Sequence, residues 1–188
     1  MSKTKCPDPR IGRRGFMRRS LGAAAGLCVA APAPAAFITS GDDRVLSFLN
    51  LHTNERLECC YWSGGRYDAS ALDDIAQVLR DHRADEATAM SRELLDLLVD
   101  LQRRLDTAGP YHVISGYRSP STNARLRARG SGVAKKSFHM FGMAIDVRLP
   151  DVALAELRRT ALAMKAGGVG YYPKSGFVHL DVGRPRFW

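Results

Sequence analysis

Cysteine is scarce in this 188-residue chain, with four residues at positions 6, 28, 59 and 60. No pair has the C-x-x-C spacing, which excludes a thiolate metal site. Cys59 and Cys60 are neighbours, and on a strand neighbouring side chains point to opposite faces. A bond between them would be strained, so they read as two small apolar residues of a hairpin. Long apolar runs are missing too. The stretch LGAAAGLCVAA, residues 21–31, has 11 residues, where a membrane span needs about 20. The chain also lacks internal repeats, low-complexity tracts and residues enough for a second domain.

The apparent excess of positive charge dissolves on inspection. Residues 1–35 have the three-part order of a secretory signal peptide: a basic start, the short apolar stretch, and the small-residue run PAPAAF. Within it, Gly12-Arg13-Arg14-Gly15-Phe16-Met17-Arg18 resembles the twin-arginine export signal, and the weakly apolar core suits that route. Ala33 and Ala35 place the cut after Ala35. Cys28 follows Leu27, the wrong neighbour for a lipid-attachment site. Seven of the 28 bases and one of the 19 acids lie in this leader, which leaves 21 and 18 and lowers the net charge from +9 to +3. That balance excludes a nucleic-acid binder and fits a mildly anionic polymer such as cell wall. Residues 36–188 suit one domain, in the periplasm, with no stable membrane insertion once the leader is cut.

Residues 45–51 and 57–62 read as strands joined by the polar turn HTNE. Asp68 caps a helix expected to reach about Arg83, and residues 91–106 place five leucines at helical spacing. A strand follows at 111–115, and Ser119 with Pro120 opens another helix. Residues 143–149 read as a strand, 151–166 as a helix, and GGVGYY and FVHLDV as a closing hairpin across PKSG. Strands and helices mix without βαβ regularity. The expectation is an α+β domain with a mainly antiparallel sheet flanked by helices.

Five histidines remain to be sorted. His52 falls in a turn and His82 at a helix end, both expected to be solvated, while His112 is expected to pack in the sheet. His139 and His179 each come with a carboxylate. In FVHLDV, alternation puts Phe177, His179 and Asp181 on one face and Val178, Leu180 and Val182 on the other. In GMAIDV, Gly142, Ala144 and Asp146 share a face, and the two small residues are expected to leave space before the aspartate. Two imidazoles and one carboxylate would hold a catalytic zinc, with a fourth position for water. Buried His–Asp hydrogen bonds would give the same spacing without a metal.

The motif Ser137-Phe-His139-Met-Phe-Gly142-Met-Ala144-Ile-Asp146 matches the S-x-H-x-x-G-x-A-x-D pattern of the zinc D-alanyl-D-alanine peptidases, relatives of the VanX-type dipeptidases and the hedgehog fold. Ser115-Gly116-Tyr117-Arg118-Ser119 resembles that family's second motif. GVAKKSFH and AGGVGYYPKSGFVHLDVG, with the leader, look like its murein endopeptidase K branch. The resemblance runs from about Arg44 to Trp188. It implies a hedgehog/DD-peptidase-like fold, zinc on His139, Asp146 and His179, and hydrolysis of peptide cross-links between peptidoglycan stems. Bonds between two diaminopimelate residues are implied first, with D-alanyl–diaminopimelate bonds second.

One departure from the wider family concerns the general base, often an acidic residue three positions before the last ligand. Here that position is Gly176. Asp181 is the nearest candidate base, and its other role would be to orient the His179 ring. Arg118 is the candidate for binding a substrate carboxylate or polarising the scissile carbonyl, against a plain surface arginine. Lys135 and Lys136 would steer anionic stems or merely solvate a loop, and Tyr171 and Tyr172 would line the groove or pack. Two other functions stay open on sequence. A catalytically silent wall-binding module would not need the full triad. A non-haem Fe(II) oxygenase usually has H-x-D before its distant histidine, whereas His179-Leu-Asp181 comes last.

Overall fold

Alternation and helical spacing both translate into a sheet with one apolar face. The computed structural model describes residues 43–130 and 132–188, so the expected leader lies outside the described residues. Strands β1 (Arg44–Asn50) and β2 (Arg56–Ser63) form the expected hairpin, with Leu46 opposite Cys59 and Phe48 opposite Leu57. Cys59 and Cys60 are not joined by a disulfide. A short β3 (Arg66–Tyr67) extends the hairpin. After it come α1 (Ala69–Val78), α2 (Arg92–Leu105), β4 (Tyr111–Ser115) and α3 (Pro120–Ala128). A 3-10 turn (Phe138–Phe141) then leads into β5 (Ala144–Arg148) and α4 (Leu154–Met164). The chain closes with β6 (Gly168–Tyr172), β7 (Phe177–Asp181) and β8 (Arg186–Phe187).

Side-chain caps fix the helix starts. The Asp68 carboxylate accepts from the amides of Ser70 and Ala71 at 2.8 and 3.1 Å, and the Ser119 hydroxyl accepts from Thr122 N at 3.3 Å. Helix α1 stops at Val78, short of the expected Arg83, because its last carbonyls find partners elsewhere. Asn50 Nδ2 donates to Val78 O at 2.9 Å and Tyr117 N to Leu79 O at 2.8 Å. Asp81 then accepts from the amides of Arg83 and Ser119, which ties this end of α1 to the turn carrying Arg118.

The strands form one eight-stranded sheet in the order β3-β2-β1-β4-β5-β7-β6-β8. The α+β class holds, but the sheet is mixed rather than purely antiparallel, because β1 runs parallel to β4 and β6 to β8. Two helices separate β1's hairpin from β4, and such a crossover returns the chain to lie parallel to a strand already laid down. One face of the sheet is core. Leu94, Leu95, Leu98 and Leu101 of α2 have no exposed surface and pack with Phe48, Val113, Ile145, Val147, Val178 and Leu180 in a single cluster. Each such side chain contributes about 1.5–3 kcal/mol through burial. With the apolar residues of β5 and β7 turned to the helices, Asp146, His179 and Asp181 must face the other way.

Candidate metal centre

Register brings the site together. Asp146 pairs with Ser115 of β4 on one side and His179 of β7 on the other, and His179 pairs in turn with Gly170 of β6. His139 arrives from the 3-10 turn, whose carbonyl oxygen at His139 accepts from Arg118 N at 3.1 Å. Gly142 ends that turn at φ 63°, a conformation that favours glycine. A side chain there would collide with the Ala89 carbonyl. This corrects the expectation that Gly142 opens space before Asp146. It lies outside β5, and its glycine serves the turn and the close approach of residues 89–90. Ala144 does lie on the site face of β5, opposite Asp181, and is fully buried.

Three donor atoms converge. His179 Nδ1 lies 2.8 Å from Asp146 Oδ1, His139 Nε2 lies 3.3 Å from the same oxygen, and the two ring nitrogens are 3.2 Å apart. A tetrahedral ion with ligands at about 2.0–2.1 Å separates its donors by roughly 3.3 Å, so this set could hold one with little movement. The outer ring nitrogens strengthen the fit. His139 Nδ1 donates to Gly116 O at 2.7 Å, since a carbonyl can only accept. His179 Nε2 donates to Asp181 Oδ2 at 3.1 Å. Each imidazole therefore keeps the lone pair of its inner nitrogen for the cluster.

Electrostatics favour a cation at this spot. Burial opposes ionisation of Asp146, yet His139 and His179 hold its carboxyl well below the usual range. Burial also opposes protonation of His179, but Asp146 and Asp181 outweigh it and raise its proton affinity. The positive charge this pocket attracts could be a proton or a metal ion.

Asp181 has no exposed surface and accepts five hydrogen bonds: Gly168 N (3.3 Å), Gly183 N (2.8 Å), Arg186 (2.9 and 2.6 Å) and His179 Nε2 (3.1 Å). Despite burial, His179 and Arg186 keep it ionised well below the usual carboxylate range. It touches the side of the His179 ring that faces away from the three donors. Arg118 stands at the other edge, 3.9 Å from Asp146 Oδ2, with long contacts of 3.4 and 3.5 Å to Ser115 Oγ and Asn123 Oδ1. Its Nε is buried and has no hydrogen-bond partner. Burial pulls this guanidinium below its ordinary pKa, opposed by Asp146.

Other sequence candidates fall outside the cluster. Lys135 and Lys136 are exposed on the loop before His139. Tyr171 packs against the core and under Arg158, whereas Tyr172 lies on the site face, stacked on Phe177 at 4.6 Å. His52 is exposed as expected, but His82 is half-buried and stacks on it at 4.1 Å.

Sequence reading missed Arg186 and Trp188. The Trp188 indole lies 5.3 Å from the His179 ring, donates to Tyr172 Oη at 2.7 Å, and occupies the space a side chain at Gly170 would take. The guanidinium of Arg186 sits 5.3 Å from the Phe138 ring and 5.1 Å from the Trp188 ring. Only the clustering of glycines at 167, 168 and 170 hinted that something packs closely on β6.

Gly116 supplies a test of this scaffold. A Cβ there would strike the Leu79 carbonyl oxygen, and its own carbonyl orients His139. Gly116→Ala is expected to destabilise the fold by about 1–3 kcal/mol, read as a lower urea midpoint at unchanged slope.

Two imidazoles and a carboxylate converging over one sheet face, with a guanidinium at their edge, define a candidate mononuclear metal centre of the kind metallohydrolases use. Comparison with known proteins specifies the class. The chain belongs to the family described as Peptidoglycan L,D-endopeptidase MepK, whose profile it matches over residues 38–188. It is 43% identical over 175 residues to the peptidoglycan L,D-endopeptidase MepK of Escherichia coli K12, covering 91% of this chain and 96% of that protein. The Shigella flexneri protein of that name gives the same figures. The probable peptidoglycan L,D-endopeptidase MepK of Haemophilus influenzae is 35% identical over 168 residues, covering 89% of this chain and 90% of its own.

Proposed function

We propose that this protein is a zinc murein endopeptidase that hydrolyses peptide cross-links of peptidoglycan. The observation that carries the reading is the convergence of three donors with both histidine rings locked from behind. When bound, zinc would lower the pKa of a water molecule toward 7 and polarise the scissile carbonyl. His139, Asp146 and His179 would hold it. Arg118, whose Nη2 stands 3.9 Å from Asp146 Oδ2, would take a substrate carboxylate or carbonyl oxygen. For Asp181 the hydrogen-bond inventory favours the orienting role over that of general base, since its lone pairs are committed and it lies behind the ring. The hedgehog/DD-peptidase-like fold belongs to the same reading, as does preference for bonds between diaminopimelate residues.

Metal analysis of the purified protein, with digestion of isolated peptidoglycan followed by mass spectrometry, tests this. About one zinc per chain and release of uncross-linked stems are expected. A protein that binds the polymer and releases nothing would be the silent wall-binding module instead.

A peptidoglycan substrate implies work outside the cytoplasmic membrane, and none of the helices among the described residues is long and apolar enough to cross one. Export by the twin-arginine route, with cleavage after Ala35, completes the proposal. Arg13→Lys with Arg14→Lys is expected to leave the precursor in the cytoplasm. Normal amounts in the periplasmic fraction would redirect the assignment to the general secretory route.

A further inference from the structure

Where β5 ends, just past Asp146, a cavity of about 320 Å³ is lined by Arg148 from one face of the strand and by the core residue Leu149 from the other. His112 and Arg148 stand opposite each other on β4 and β5 at its mouth. Arg148 is two residues beyond Asp146 on the same strand face, a step of about 6.8 Å. The guanidinium reaches over the β6–β7 turn, where its Nη1 lies 3.6 Å from the place a side chain at Gly176 would begin. Leu149, Val152 and Leu154 form the apolar wall.

We infer that this cavity is a specificity subsite for an aliphatic side chain ending in a carboxylate, such as a diaminopimelate stem residue whose side-chain amine is acylated in the cross-link. The inference rests on the endopeptidase reading and adds to it a second anion-recognising group besides Arg118. Three observations support it. Arg148 is exposed, and among the described residues it makes neither an ion pair nor a side-chain hydrogen bond. Arg186, by contrast, is held by Asp181. His112, paired with Arg148 across β4 and β5, brings no negative charge to the lining.

Among the described residues, no carboxylate lines the cavity. Burial first, then the positive charges of Arg148 and Arg56, lower the pKa of His112, so the surroundings are cationic and lack an anion. The apolar wall suits methylenes, and the arginine at the mouth suits the charged tip, with bidentate geometry available to it. A substrate held there would extend along β5 toward the metal ligands.

Calorimetric titration of the purified, zinc-free protein separates this idea from the catalytic one, because it does not depend on hydrolysis. The probes are a stem peptide whose diaminopimelate side-chain amine is acylated, and the same peptide with that side chain's carboxylate amidated. Wild type is expected to bind the free acid roughly 10–100-fold more tightly than the amide, the range of one charge-assisted contact. Arg148→Gln should reduce that preference to within about twofold while its thermal unfolding stays that of wild type, since Arg148 is exposed. Equal binding of acid and amide by wild type overturns the subsite, as does an unchanged preference in Arg148→Gln. If the zinc-loaded wild type fails to cleave cross-linked stems, the endopeptidase reading falls separately.

Discussion

Replacing His139, Asp146 or His179 with alanine is expected to abolish hydrolysis of cross-linked muropeptides and to drop bound zinc well below one per chain. The three donors lie within 2.8–3.3 Å of one another, so no remaining pair surrounds an ion. Water activation and carbonyl polarisation contribute several kcal/mol, and at about 1.4 kcal/mol per tenfold the rate should fall roughly a thousandfold or more. The three variants should differ in stability. His139→Ala orphans the Gly116 carbonyl, and Asp146→Ala leaves Arg118 beside an unpaired space in a mostly buried setting. Even so, each should unfold cooperatively, because the leucine face of α2 and the apolar faces of β5 and β7 form the core without any contribution from the ligands. The same reasoning predicts that chelation leaves the protein folded, unlike a small zinc finger. Atomic absorption and circular dichroism on the same samples check both halves. Full zinc occupancy in all three variants would remove the site.

Much of this site was legible because strand alternation is a short-range rule. The sequence FVHLDV has only one way to bury Val178 and Leu180, and that way turns His179 and Asp181 to the opposite face. The same rule places Asp146. His139 was legible only through its motif, since a 3-10 turn carries no period that could aim a side chain. Contacts between distant elements escaped for a physical reason. Strand β8 is two residues long and pairs parallel with β6, so neither length nor alternation marks it. Arg186 and Trp188 therefore read as an unassigned tail. Local sequence predicts a longer α1 because residues 79–83 are helix-compatible by themselves. Asn50 and Tyr117, far away in sequence, take the carbonyls that would have continued it. Gly142 departs from its expected role because small size has two uses, leaving space or allowing close approach, and only the neighbouring backbone distinguishes them.

Asp181→Asn is expected to weaken zinc binding by about 10–100-fold while leaving most activity recoverable at saturating zinc. Asparagine keeps the shape but loses the charge that binds Arg186 at two points and fixes the His179 Nε2 proton. Its amide could present NH2 to His179, reversing the ring's proton and pointing an N–H at the cluster, which would compete directly with a metal. Arg186 is about a third exposed and can turn to water, so the cost in fold stability should be smaller than for a sealed pair. A general base would give a different signature: rate lower by roughly 10²–10⁴ with zinc still bound at wild-type affinity. Titrating zinc against activity on a cross-linked muropeptide separates the two. The orienting role makes a further demand on Arg186, which holds Asp181 from behind. Arg186→Lys offers one charge in place of a fork and should weaken zinc binding by a smaller factor in the same direction, whereas a general-base role for Asp181 predicts no such graded loss of affinity. Wild-type zinc affinity in both variants would take Asp181 and Arg186 out of the metal site's support altogether.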